Sequence, residues 1–173
     1  MTNKYLLILL IAFLLTGCQQ ASSISESVPT TIPELAKCIP EGQVPQTAKV
    51  VEISDGDTIT VEISNQQYRL RYIGIDTPEL GSSEHAHAEK AANYNRSLVD
   101  GQEVTLYTDT SHTDRFDRLL RYVIFDQVFI NYQLVRSGMA RARDYYPDSA
   151  CKDVFLYAEK QARKEELGIW MDE

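Results

Sequence analysis

Positive charge is what this 173-residue chain has in short supply: 17 Lys and Arg stand against 25 Asp and Glu, a formal charge of −8. The deficit excludes coating of nucleic acid through a broad basic face, so any phosphate chemistry must rest on a few placed cations. Cysteine is scarce as well, and three are too few for a disulfide-built scaffold at this length. Eight glycines and six prolines exclude a collagen-like chain, while 43% apolar and 24% charged residues exclude general disorder and suit one globular domain. A long hydrophobic run is missing everywhere except at the N-terminus. There Tyr5 to Leu15 supplies eleven apolar residues, short of the roughly 20 that a bilayer-spanning helix needs. Lys4 precedes the run, which reads as the h-region of an export signal.

Leu15-Thr16-Gly17-Cys18 resembles the bacterial lipoprotein signal. That resemblance implies removal of residues 1–17, a lipid on Cys18 and an extracytoplasmic protein anchored to the cell membrane or later released from it. A conventional secretory signal is the alternative. Residues 18–45 carry Ser, Thr, Pro and Gln without apolar periodicity and are expected to form a flexible tether. The remaining domain, 46–173, holds 15 Lys and Arg against 22 Asp and Glu, so the acidity is its own. With Cys18 taken by lipid, Cys38 and Cys151 are left as an even pair in an oxidising compartment. A bridge between tether end and domain is expected, two independent thiols being the alternative.

Within the domain, Ala48 to Ile53, Ile59 to Ile63 and Tyr68 to Ile75 are rich in Val, Ile, Thr and Tyr with a period near two, which predicts three strands. Glu84 to Leu98 lacks Gly and Pro and predicts a helix ending near Asp100-Gly101. Strand character resumes at Val104 to Thr108, Leu119 to Phe125 and Val128 to Ile130. Asn131 is expected to cap a brief helix that stops at Gly138, and Asp148 or Ser149 to open a last one. Five strands, one inserted helix and two terminal helices predict an α+β domain, most simply a closed or nearly closed barrel.

Four polar clusters exceed what such a fold requires: Asp55-Gly56-Asp57-Thr58, Arg71, Asp76-Thr77-Pro78-Glu79, and Asp114-Arg115-Phe116-Asp117-Arg118. Each alone reads as a turn or a solvated surface. Together they suit phosphodiester cleavage. Asp57, Asp76 and the Thr77 carbonyl are hard oxygen donors of the kind Ca²⁺ takes. Glu79 can orient or deprotonate a water, and the planar forks of Arg71 and Arg118 match the charge that develops on phosphoryl oxygens. Strict alternation would place Arg71 and Asp76, five residues apart, on opposite strand faces. Gly74 between them is therefore expected to bulge or kink the chain. His85 and His87 diverge on a helix and receive no role.

The order and spacing of these clusters resemble the staphylococcal nuclease family over residues 46–171. Val128-Phe129-Ile130-Asn131, Leu134 to Ala140, and Glu159 through Trp170 add to the likeness. The resemblance implies an OB-fold five-stranded β-barrel with three α-helices, and Ca²⁺-dependent cleavage of DNA and RNA to 3′-phosphate ends. By position, Asp57, Asp76 and Thr77 correspond to metal ligands, and Arg71, Glu79 and Arg118 to catalytic residues. Arg115 and Tyr146 correspond to substrate-binding residues, and a monomer is expected. Asp117 stands where the family has Gly, which demands a left-handed backbone there. Asp144 stands where a tyrosine is common. A non-catalytic nucleic-acid-binding or protein-binding module on the same barrel is the alternative reading.

Overall fold

Strand β1, Gln46–Ile53, turns sharply at Asp55-Gly56 into β2, Thr58–Ile63, and Ser64-Asn65, both with positive φ, turn β2 into β3, Gln66–Tyr72. Two consecutive left-handed residues make the tight hairpin that matches strand twist. This is a computed structural model, and it describes residues 33–171. The expected export signal and Cys18 lie outside the described residues.

After β3 come β4 (Ile75–Asp76), α1 (His85–Val99), β5 (Glu103–Tyr107), β6 (Leu119–Phe125), β7 (Val128–Phe129), α2 (Ile130–Arg136), β8 (Arg141–Ala142) and α3 (Lys152–Lys164). The main sheet runs β3-β2-β1-β5-β6-β7 and closes on itself because β3 also pairs with β6, in parallel, Leu70 opposite Leu119 and Tyr72 opposite Arg121. The described residues thus form a closed five-stranded barrel with three α-helices, an OB-type α+β fold. Closure removes the free edges that an open sheet would leave unpaired. The β1 alternation is interrupted: Val50 pairs with Val61 and Glu52 with Thr60, so Val51 is an unpaired bulge, and burial passes from Val50 to Ile53.

Helix α1 buries Ala88, Ala91, Ala92, Asn95 and Val99, one stripe at helical spacing. Its Asn95 accepts a hydrogen bond from Tyr72 Oη at 3.0 Å and donates to the Asp55 carbonyl at 3.4 Å, tying the β1–β2 turn to the helix.

Three expectations are revised by packing. Asn131 does not cap α2. It lies inside the helix, fully buried, where its Oδ1 accepts from Val123 N and its Nδ2 donates to the Ile73 and Arg121 carbonyls. Neither Asp148 nor Ser149 opens α3, which starts after Cys151: the Asp148 Oδ1 accepts from the backbone N–H groups of Thr110 and Ser111, and the Ser149 hydroxyl donates to Asp144. The C-terminal end of the expected tether is packed: Ala36 and Ile39 are buried, Gln43 hydrogen-bonds Thr108 and Asp109, and Cys38 is joined to Cys151 with Cα atoms 5.0 Å apart. Two buried apolar side chains and a covalent link can order a segment whose composition alone predicts freedom.

Candidate active site

The β1–β2 turn is built by Asp55, whose Oδ1 accepts from the backbone N–H of Asp57 at 3.0 Å and of Thr58 at 2.6 Å. This side-chain turn points Asp57 inward. Gly56 is required by space and not by φ: a Cβ there would stand 2.7 Å from both the Ala91 Cβ and the Thr77 Cγ2. Burial pushes the Asp55 carboxyl up from its ordinary value, against the opposing pull of the Thr58 amide and of Arg71 and Arg118.

Asp57 is completely buried, a costly place for a carboxylate unless every oxygen is met. Its Oδ2 accepts from Thr77 N at 2.7 Å and from Thr77 Oγ1 at 3.0 Å, and its Oδ1 accepts from Thr58 Oγ1 at 3.2 Å and pairs with Arg71 Nη1. The same guanidinium reaches the second acid, Arg71 Nη2 lying 2.9 Å from Asp76 Oδ1 and 3.2 Å from the Ile75 carbonyl. The two carboxylates therefore converge on one cation.

The convergence depends on Gly74, as its position between Arg71 and Asp76 suggests. Its φ of +77° ends β3 and redirects the chain into β4, and a Cβ there would meet the Phe155 ring at 2.5 Å. Strand β4 then pairs with β8, Asp76 opposite Arg141.

Arg118 arrives from a different direction. Asp114 Oδ1 accepts from Phe116 N at 2.8 Å and Arg118 N at 3.0 Å, closing the loop between β5 and β6, and Asp117 adopts a φ of +59° within it. Arg118 Nε and Nη2 each lie 2.7 Å from Asp114 Oδ2. Burial would raise the Asp114 carboxyl, yet the Arg118 fork and the two amides outweigh it and hold the group below its ordinary value. Nη1 of Arg118 has no protein partner among the described residues.

Arg71 and Arg118 line a cleft of about 520 Å³, together with Arg115, Phe116, Tyr145 and Tyr146. Phe116 is 61% exposed but its ring is covered by guanidinium groups, Arg115 at 4.7 Å and Arg118 at 5.5 Å from its centre, whereas Tyr146 is 91% exposed and its ring is open to a ligand. Asp57, Asp76 and Thr77 do not line this space; the two acids adjoin it through Arg71, which does. Glu79 is exposed on the turn after Pro78, three residues from Asp76, where its carbonyl accepts from Ser82. Cys38 and Cys151 serve the scaffold, far in the chain from the acids.

Sequence reasoning missed two neighbours of Asp76. Arg143 Nε stands 3.4 Å from its Oδ2, and Tyr145 Oη stands 3.5 Å from its Oδ1. No local signal points to Arg143; it acquires its neighbour only through β4–β8 pairing. Asp55 was legible as half of a tight turn, but not as its acceptor.

Residues 69–172 match the family model described as staphylococcal nuclease homologue. A thermonuclease of Staphylococcus hyicus is 35% identical over 128 residues, covering 72% of this chain and 76% of that protein. A second thermonuclease, from Staphylococcus intermedius, is 33% identical over 124 residues, 70% of this chain and 74% of its own. Endonuclease YncB of Bacillus subtilis (strain 168) is 34% identical over 121 residues, 67% of this chain and 57% of its own. With the paired acids, the two arginines and the barrel already in place, these likenesses make the chain a member of the staphylococcal nuclease family and a phosphodiester hydrolase.

Proposed function

We propose that the chain is a calcium-dependent, extracytoplasmic nuclease that hydrolyses DNA and RNA and leaves 3′-phosphate ends. One observation carries the reading: a single guanidinium, Arg71, binds two carboxylates and also lines a cleft that presents Arg118. The donor set suits a hard divalent cation. Two carboxylates and a backbone carbonyl are all oxygen, and no group of three or more His, Cys, Asp or Glu gathers among the described residues, so backbone and water must complete the shell. Asp57, Asp76 and the Thr77 carbonyl would hold Ca²⁺, which when bound supplies Lewis-acid polarisation of a phosphate oxygen.

The remaining work falls to side chains. Arg71 and the unshared edge of Arg118 bind the equatorial phosphoryl oxygens, where a rigid fork placed beforehand favours the transition state over the ground state. Glu79 accepts a proton from the attacking water at its carboxylate. The water oxygen joins phosphorus as the bond to the 5′ oxygen breaks, and that oxygen leaves as a hydroxyl with a proton from solvent, so the phosphate stays on the 3′ side. Arg115 and Tyr146 hold the flanking nucleotide, and the three arginines of the cleft, Arg71, Arg115 and Arg118, offset the net negative domain. A lipid on Cys18 anchors the protein, which acts as a monomer.

Purified full-length protein, incubated with DNA or RNA in Ca²⁺ or in chelator, tests the reading. Cleavage should need Ca²⁺, yield 3′-phosphate ends and fall about 10²–10⁴-fold in Glu79→Gln. Cleavage that persists in chelator would refute the metal's role. Labelled lipid should enter the parent and not Cys18→Ala, and sedimentation should give the mass of one copy.

A further inference from the structure

We propose that Arg143 raises the calcium concentration this site needs, by holding the Asp76 carboxylate in competition with the cation; the inference rests on the calcium reading above. Asp76 is approached by cations on both oxygens: Arg71 Nη2 lies 2.9 Å from Oδ1, and Arg143 Nε lies 3.4 Å from Oδ2. Asp57 and Asp76 together carry two negative charges, and Arg71 and Arg143 carry two positive ones. The pair of acids is neutralised before any divalent ion arrives.

Arg143 is held beside Asp76 by backbone, because its N–H donates to the Gly74 carbonyl at 2.9 Å next to the β4–β8 pairing. The adjacent acid does not divert it, since the Asp144 carboxylate is taken by Lys152 and Ser149. The Arg143 side chain is 54% exposed, so it acts largely through solvent and its effect is moderate. Two like-signed ions a few ångströms apart at a partly solvated carboxylate imply an affinity penalty of about tenfold. Asp76 therefore serves both a resident guanidinium and an incoming cation, and Arg143 sets the threshold between them.

Calorimetric titration of Ca²⁺ into the full chain, without substrate, tests this. Arg143→Ala should bind Ca²⁺ about tenfold more tightly than the parent and Arg143→Glu more tightly still, with Arg143→Lys within about twofold of the parent. The differences should narrow at high salt, and Asp76→Asn should weaken binding and abolish the sensitivity to position 143. A merely structural role for Arg143 would not produce that charge ranking. If Arg143→Ala and Arg143→Glu bind no more tightly while Asp76→Asn still weakens binding, this inference fails and the calcium reading stands. If no variant takes up Ca²⁺, both fail.

Discussion

Replacing Arg71 by Met removes every donor while keeping the length of the side chain, and leaves the Asp57 carboxylate, 1% exposed, without its counter-ion. Breaking a buried ion pair from one side costs about 3–5 kcal/mol. Here the three hydrogen bonds from Thr77 and Thr58 survive, so the lower end, about 3 kcal/mol, is expected. With a urea slope of about 2 kcal/mol/M, the unfolding midpoint should fall by about 1.5 M. Adding Asp57→Asn removes the stranded charge and should return much of that loss, giving a coupling of about 1–3 kcal/mol between the two sites. Activity should behave differently. It should fall about 10²–10³-fold in Arg71→Met and stay low in the double variant, because the fork on the phosphate is gone in both. A midpoint for Arg71→Met indistinguishable from the parent, or single losses that simply add in the double variant, would refute the shared-guanidinium account.

Gly74→Ala forces a left-handed alanine, about 1–2 kcal/mol, against the Phe155 ring, a further 1–3 kcal/mol or so, and should lower both the urea midpoint and activity; an unchanged midpoint would show that the kink is not required. The Cys38–Cys151 link spans 113 residues, and losing it should cost about 2–5 kcal/mol, read as a lower Tm in dithiothreitol that Cys38→Ser/Cys151→Ser reproduces without reductant. Asp55→Asn preserves the acceptor of the β1–β2 turn and removes a charge that burial disfavours. Since the Asp55 carboxyl is raised above 3.8 in the folded chain, its ionisation costs stability above that value, and the cost disappears as pH falls below it. Asp55→Asn should therefore unfold at higher urea near neutral pH and match the parent below about pH 3, whereas an equal midpoint throughout would contradict the sign.

The fold was legible where one local cause dominates. Period-two patterning marked β2 and β3, a Gly-free and Pro-free run marked α1, and the need to turn between Arg71 and Asp76 marked Gly74. Asp117 was legible because a backbone requirement outlasts the change of residue. Legibility failed where a side chain serves something distant. Asn131 and Asp148 look like helix caps, since local geometry favours them there, but each satisfies backbone groups of another element instead.

What the amino-acid order determined by itself is the inventory and its local grammar: the strands and helices, the acids and arginines, and the breaks that let them meet. Only the tertiary structure decided how these were shared. Parallel pairing of β3 with β6 closed the barrel, α1 and Thr77 left room at Gly56 for hydrogen alone, and Asp57 was buried deeply enough to demand Arg71. It also placed Arg143 against Asp76. Periodicity and turn chemistry act over a few residues, whereas burial, charge pairing and close approach depend on distances that exist only once the chain has folded.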